Sequence, residues 1–490
     1  MNSKLTEGKV IKNFSKWELA LCWLVRKWAP RTKLPSLISE SMNRIIIRML
    51  RTNLGRPPFA HLPLSAWGAA AAAIIVLFSA LFWHLTSGAS GVSEVVRLHD
   101  QTVVQTHVIL PYPKARGPLA HYAEHLAWLP NIGKNSRPED RDSNAWTNDY
   151  AVGYWLSGPP EDLPDMLRRL KVVFDPIDLP QEFAETERDI ILREYDLRMA
   201  NNSDAQAAEE MEAFLYEGNA IATSVIGTPD QIKALTYDAA RAFHAETHRP
   251  ERARLVVVGD VTERQLAKAM AEAGFPDLDA NRADIAPPPF TLAAPEARIF
   301  RYPNPNAVPR MTWRKVVALA EPVDFDLLEA QTALARDILD TNLPGGIAGP
   351  LRFDAFVTKS FGISIIPINE THIELVFSAE PDKGIGFAVM QSAFEAALAT
   401  SAEGVPTATY ERVRERFKGF WPDWPDDEET ARWMANYTLS RVSVLREPTS
   451  ERQMRKIDAQ IDAADINTIL AALARPGRTA IAFIGTDLSP

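Results

Sequence analysis

The 490-residue sequence has almost no cysteine and, over most of its length, no excess of basic residues. Its single cysteine, Cys22, excludes a disulfide framework, a cysteine-ligated zinc ribbon and an iron–sulfur cluster. Any bound metal must therefore be held by histidine and carboxylate side chains. The net charge of −10 argues against the basic face of a general nucleic-acid binder, so we expect no nucleic-acid partner. The chain is too long for one ordinary domain, and its 46% apolar content can fill sizeable cores.

Charge is divided unevenly along the chain. Residues 1–65 carry twelve Lys and Arg against three Glu, whereas the rest carries 41 basic and 60 acidic residues. Between these parts, Leu62 to Trp83 holds no charge for 22 positions, enough for a helix to span a hydrocarbon core of about 30 Å. We interpret residues 62–87 as one transmembrane helix; a buried Ala-rich core helix is the alternative. The basic flank predicts a cytoplasmic N-terminus and an acidic body outside the cytoplasm, as in a bacterial inner (cell) membrane protein facing the periplasm.

The basic segment 1–61 is predicted to be a cytoplasmic tail with amphipathic helices. Trp17, Leu21, Leu24 and Trp28 recur at helical spacing among basic residues. This pattern is typical of helices that lie on an anionic lipid surface, which makes membrane lipid an expected partner. A short helical tail packed on a partner protein is the alternative that the pattern leaves open.

From residue 92 onward, short apolar runs alternate with helical patterns, as expected of an α/β protein of the α+β sandwich type. A dense group of prolines predicts a linker at 286–309. The segments on either side, 92–285 and 310–490, show the same order of strands and helices. We therefore predict two similar domains, each a mostly antiparallel sheet packed with helices.

A metal-binding pattern lies in the segment GPLAHYAEHLAWL. On a helix, His121 and His125 share one face and can bind one ion, while Glu124 lies close enough to reach a water beside the metal. This HxxEH order suits zinc, and two histidines need a third protein ligand. The helical segment ETERDIILREYDLRMANN offers Glu187 and Glu194 on one face.

A second pair of histidines serves as a comparison. In HAETH, His244 and His248 are also four residues apart, but the intervening Glu246 points to the opposite side of the helix. We interpret this pair as a solvated helix end and not as a ligand set.

Four blocks of the sequence then carry a family resemblance: HYAEH, SNAWTNDYAVGYWL, ERDIILREYD and VIGTPDQIKALTYDAARAFHAETHRPERARLVVVGDV. In content and order, over residues 95–265, they resemble the pitrilysin/insulinase family of zinc metallopeptidases, also called inverzincins. The resemblance implies that Glu194 joins His121 and His125 as the third ligand of one Zn²⁺ per chain. It implies catalytic roles for Glu124, as general base, and for Glu187, which lies behind the ligands.

The NAWT block resembles an edge strand of that family which pairs with the backbone of an extended peptide substrate. The resemblance therefore implies that Asn144 and Ala145, with Trp146 beside them, contact substrate. The segment 310–490 resembles the family's second domain, which binds no metal.

Family members that complete the site with their second half use an Arg and a Tyr seven residues apart. The matching positions here are Phe356 and Ile363, neither of which can hydrogen-bond substrate, and Arg352 lies four residues early. We therefore predict a heterodimer in which a second pitrilysin-like subunit supplies the Arg/Tyr pair; a homodimer is the alternative.

The sequence as a whole predicts a membrane-anchored zinc metalloendopeptidase subunit that hydrolyses extended peptides or small unfolded proteins outside the cytoplasm. Two other functions remain open. One is a catalytically idle scaffold subunit of a membrane complex, and the other is a membrane-bound receptor that presents peptides to a partner protease.

Overall fold

The computed structural model describes residues 93–98, 103–112, 117–132, 143–200, 202–278, 287–417, 428–486 and 488. The predicted tail at 1–61 and the predicted transmembrane helix at 62–87 lie outside the described residues. Among the described helices, none combines the length and the apolar composition needed to cross a bilayer.

The strands and helices alternate along the chain. The strands are β1 Ser93–Arg97, β2 Val104–Pro111, β3 Ser143–Thr147, β4 Ala151–Gly158, β5 Arg254–Gly259, β6 Glu296–Pro303, β7 Arg310–Ala318, β8 Thr358–Asn369, β9 His372–Pro381 and β10 Arg478–Gly485. The α-helices are α1 Pro118–Ile132, α2 Leu163–Leu170, α3 Gln181–Met199, α4 Ser203–Leu215, α5 Pro229–Lys233, α6 Tyr237–Thr247, α7 Glu263–Ala273, α8 Phe325–Leu339, α9 Phe387–Ala402, α10 Thr407–Phe417, α11 Glu428–Ser443, α12 Glu451–Asp458 and α13 Ala463–Ala474. A π-helical turn at Gly349–Asp354 precedes β8.

The strands form two five-stranded sheets of identical topology. The first has the order β1-β5-β2-β4-β3 and the second the order β6-β10-β7-β9-β8. In each sheet the first-named pair is parallel and the other pairs are antiparallel. The mixed α/β fold class and the mostly antiparallel character of both sheets are therefore confirmed.

Helices cover both faces of each sheet. A helix from the first half of the chain, residues 92–285, packs on the second sheet, and a helix from the second half, residues 310–490, packs on the first. Helix α4 packs Met211 and Phe214 on the second sheet, in a cluster that includes Ala480 and Ile484. Helix α11, from the second half, packs on the outer face of the first sheet. Because β5 and β10 are buried on both faces, they have continuous apolar runs instead of alternating patterns.

The two halves also match in the spacing that leads into the metal-motif helix. Helix α1 begins seven residues after the end of β2, from Pro111 to Pro118, and α8 begins seven residues after the end of β7, from Ala318 to Phe325. Counted from the helix start, Leu328, Gln331 and Thr332 occupy the positions of His121, Glu124 and His125. The second half therefore lacks the metal-ligating side chains at this position.

One element differs from the sequence prediction. Strand β6, Glu296–Pro303, lies inside the range 286–309 that was predicted to be a linker. The prolines of this range leave residues 296–302 free, so this short stretch can pair with β10 as an exposed edge strand. The strand occupies part of the predicted linker, and the ranges 92–285, 286–309 and 310–490 stay predictions.

Candidate metal centre

Small and rigid residues fix the start of helix α1 and its position beside α3. Gly117 adopts a left-handed φ of 56°, and Pro118 occupies the first helical position. Gly227, at φ 74°, lies against Pro118 so closely that an added Cβ would come within 2.6 Å of its ring. The Tyr122 hydroxyl donates to the Ala184 carbonyl at 2.7 Å and ties α1 to α3. These contacts fix the two helices that carry the predicted ligands.

His121, His125 and Glu194 converge as the sequence predicted. The Nε2 atoms of the two histidines are 3.2 Å apart, and each lies 3.7 Å from a carboxylate oxygen of Glu194. One ligand atom from each of the three residues lies within 4.8 Å of the others. Ligands about 2.1 Å from a tetrahedral zinc ion would be about 3.4 Å apart, so the observed spacings fit zinc. Two imidazole nitrogens do not suit Ca²⁺ or Mg²⁺, which prefer oxygen ligands.

The charged groups around the two imidazoles also fit a metal site. Burial lowers the pKa of His121 to about 3, and the nearby charges of His125 and Arg198 act in the same direction. The His121 ring is therefore neutral and offers a lone pair. Burial acts against a charged His125, but its hydrogen bond with Glu187 and nearby carboxylates raise its pKa overall. The same carboxylates would stabilise a divalent cation beside its Nε2.

Glu187 lies behind the ligands, where the sequence placed it. Its Oε2 is 2.9 Å from Nδ1 of His125, and the residue as a whole is 8% exposed. A proton on Nδ1 donated to this carboxylate leaves Nε2 of His125 free to bind a metal. The Nδ1 atom of His121 is buried and has no hydrogen-bond partner among the described residues.

Glu124 lies beside the cluster without joining it. Its Oε2 is 3.9 Å from Nε2 of His121, and its side chain is almost completely buried. Burial raises the pKa of Glu124 to about 7, although His125 and a hydrogen bond from Thr147 act in the opposite direction. The Thr147 hydroxyl donates to Oε2 of Glu124 at 3.2 Å. The sequence analysis missed Thr147, although strand alternation places it on the same face as Ala145.

Strand β3 is an edge strand beside α1, and among the described strands only β4 pairs with it. Ala145 packs against the core beneath α1, whereas Trp146 joins the cluster under α11 on the opposite face. The Trp146 ring lies over Gly153, where an added Cβ would come within 2.2 Å of it. The side chain of Asn144 accepts a hydrogen bond from the Ala145 amide at 2.9 Å. The Trp146 side chain is therefore directed away from the metal cluster, and contact of Asn144, Ala145 and Trp146 with substrate stays a prediction.

The second histidine pair is buried and is not the solvated helix end that the sequence predicted. His244 and His248 are both 3% exposed and stack on each other with ring centroids 4.2 Å apart. His244 is hydrogen-bonded to the Val173 carbonyl, and His248 lies 2.7 Å from the Tyr154 hydroxyl. The prediction of solvation is wrong because partners from β4 and the segment after α2 satisfy these rings inside the core. They are not part of the metal cluster found in the described residues.

Comparisons with known proteins show similarity to a family of peptidases. Residues 234–345 match the family description "Peptidase M16 inactive domain". The chain superimposes on the first half of the periplasmic protease PqqL from Escherichia coli with a TM-score of 0.63 and 15% identity, covering 81% of this chain and 90% of that one. A protease from Helicobacter pylori gives a TM-score of 0.62 and 15% identity over 80% of this chain and 96% of that one.

The chain therefore resembles the M16 family in its fold and over residues 234–345. It is 22% identical to mitochondrial-processing peptidase subunit beta of Dictyostelium discoideum, over 31% of this chain and 34% of that protein. It is 24% identical to an uncharacterized zinc protease of Mycobacterium tuberculosis, over 50% of this chain and 56% of that protein. The chain thus spans between about a third and about half of the length of these curated relatives.

Proposed function

We propose that this M16 chain is a zinc metalloendopeptidase subunit that hydrolyses extended peptides or small unfolded proteins. The observation that carries the proposal is the convergence of His121, His125 and Glu194, with Glu124 beside them at 3.9 Å from Nε2 of His121. A purely structural metal site needs no buried carboxylate next to its ligands. The similarity to named zinc proteases supports the same conclusion.

His121, His125 and Glu194 would hold the zinc ion. When bound, zinc lowers the pKa of a coordinated water and polarises the scissile carbonyl. Glu124 accepts the proton of the attacking water at Oε2 and later returns it to the leaving amine. Glu187 holds His125 in the tautomer that leaves its Nε2 free.

The edge of β3 that no other described strand occupies would bind the substrate. An extended peptide that pairs with an edge strand gains main-chain hydrogen bonds that do not depend on its side chains. Asn144 and Ala145 lie on this strand, on the sheet that carries α1. The Ala145 amide, now bonded to the Asn144 side chain, becomes available when a substrate carbonyl replaces that oxygen.

A second M16 subunit is proposed to complete the site with an Arg/Tyr pair; a homodimer is the alternative. The second half of this chain does not offer such a pair, because Ile363 is buried in its own core and Phe356 is an exposed apolar residue. Membrane anchoring through 62–87 and a periplasmic body belong to the same proposal. Their support is the charge-free segment 62–83 with its basic flank.

An idle scaffold subunit is the second candidate function. The match to a family description that includes the words "inactive domain" favours it. The matched residues, 234–345, do not include the metal cluster, and the second half lacks the ligands at the equivalent positions.

Zinc content and cleavage of a quenched-fluorescence peptide library test the two candidates. The full chain is purified with any subunit that copurifies, and Glu124→Gln is the matched variant. We expect zinc in both proteins and turnover only in the parent. Zinc without turnover in the parent, with the copurifying subunit present, would support the scaffold and contradict the peptidase.

A further inference from the structure

The hydrogen bond from Thr147 to Glu124 connects the proposed base to a part of the chain far away in sequence. Thr147 is the last residue of β3, and it is followed by the turn that leads into β4. Because Glu124 is buried, the Thr147 hydroxyl at 3.2 Å is one of the few groups that can orient its carboxylate. The placement of Glu124 therefore depends on how the end of β3 is held.

Asn148 closes the turn from inside. Its Oδ1 accepts hydrogen bonds from the amides of Tyr150 and Ala151, both at 2.8 Å, and its own amide donates to the Ala151 carbonyl at 3.0 Å. Since both backbone partners are donors, the oxygen of this side-chain amide must face them. Its Nδ2 therefore points outward, toward the second half of the chain.

The outward Nδ2 of Asn148 donates to the carbonyl of Ser443 at 3.0 Å. Ser443 is the final residue of α11, where helix carbonyls have no intrahelical donor. Helix α11 is itself fixed by Arg441, which is 5% exposed and donates to Asp326 at 2.5 Å and to Glu329 at 3.1 Å. Both of these acidic residues belong to α8, the helix that takes the place of α1 in the second half.

We propose that Thr147 and Asn148 are positioning residues for Glu124, and that the second half holds them in place through the Ser443 carbonyl. Through this main-chain contact the metal-free half contributes to the placement of the proposed base. This inference rests on the proposed peptidase function.

Two pairs of variants test the proposal on the full chain with any copurifying subunit. Thr147→Val removes the hydroxyl at nearly constant shape, and Thr147→Ser keeps it. Asn148→Ser can still accept within the turn but is too short to reach Ser443, and Asn148→Asp keeps the acceptor oxygen while removing the donor. The measurements are kcat and KM on one peptide, zinc content and melting temperature.

We expect Thr147→Val to lower kcat about 10- to 100-fold with KM and zinc content unchanged, because a misplaced catalytic group costs rate more than binding. Thr147→Ser should stay within about threefold of the parent. Both Asn148 variants should lower kcat about tenfold at unchanged KM. The Thr147→Val/Asn148→Ser double variant should be no slower than Thr147→Val alone, since both substitutions break one path.

Multiplicative losses in the double variant, a changed KM, or full activity of Thr147→Val would overturn the proposal. Amide hydrogen exchange of residues 143–151 adds a measurement that needs no turnover. Asn148→Asp should speed exchange across β3 about tenfold, and unchanged exchange would contradict attachment to Ser443. A parent that binds zinc but cleaves no peptide would instead refute the peptidase function, and Thr147 would then have no catalytic base to position. Amide exchange would still show whether Asn148 attaches β3 to Ser443.

Discussion

Replacing Glu187 with glutamine tests the support behind the metal ligands. The Glu187 carboxylate lies 2.9 Å from Nδ1 of His125, and its side chain is 11% exposed. Glutamine keeps the size of the side chain but removes its charge, so the hydrogen bond to Nδ1 loses its charge assistance. It also presents an amide group that can rotate to oppose the required tautomer of His125.

We expect Glu187→Gln to raise the dissociation constant for zinc about 10- to 100-fold, which corresponds to about 1.4–2.7 kcal/mol. The measurement is competition with a chromophoric chelator at fixed pH and salt, on the full chain. Asp189→Asn is the control, because Asp189 lies on the same helix and is exposed. An unchanged zinc affinity in Glu187→Gln, or an equal loss in the control, would refute the role of Glu187.

Three further substitutions test the packing around the site and between the halves. Arg314→Met should lower the free energy of unfolding by about 3–5 kcal/mol in urea titrations, because it leaves the buried carboxylate of Glu374 without its 2.6 Å ion pair; adding Glu374→Gln should recover part of this loss. Gly153→Ala should lower the free energy of unfolding by about 1–3 kcal/mol because its Cβ meets the Trp146 ring. The Gly153→Ala/Trp146→Leu double variant should lose less of this free energy than the two single variants combined. Burial, together with a neighbouring carboxylate, raises the pKa of Asp149 to about 6, so its ionised form destabilises the fold at pH 7. Asp149→Asn should therefore raise the free energy of unfolding at pH 7 by at most about 3 kcal/mol, and this gain should disappear as the pH falls to about 4. A gain that does not depend on pH would contradict the raised pKa of Asp149.

The ligand set could be predicted because it depends on short spacings within two helices. His121 and His125 lie one turn apart, and Glu187 and Glu194 lie two turns apart, so helix geometry alone places each pair on one face. The pairing of the two helices was supplied by the family resemblance and not by spacing. The structure brings α1 and α3 together through the contact of Tyr122 with the Ala184 carbonyl.

The structure differs from what the sequence indicates where a distant segment decides the outcome. Strand β6 forms in a proline-rich stretch because β10 offers an edge, which local composition does not reveal. His248 is buried because Tyr154, far away in sequence, supplies a partner. Trp146 is directed away from the metal cluster because α11 covers the opposite face of the first sheet. Thr147 was inside a recognised block, but its role depends on the position of Glu124 in space.

The most direct test of the account is the amount of zinc bound per chain in the purified parent and in Glu194→Gln. His121, His125 and Glu194 are placed to hold one ion, so the parent should contain about one zinc per chain and the variant far less after dialysis. A parent without zinc, or a Glu194→Gln protein that retains as much zinc as the parent, would contradict the proposed metal centre.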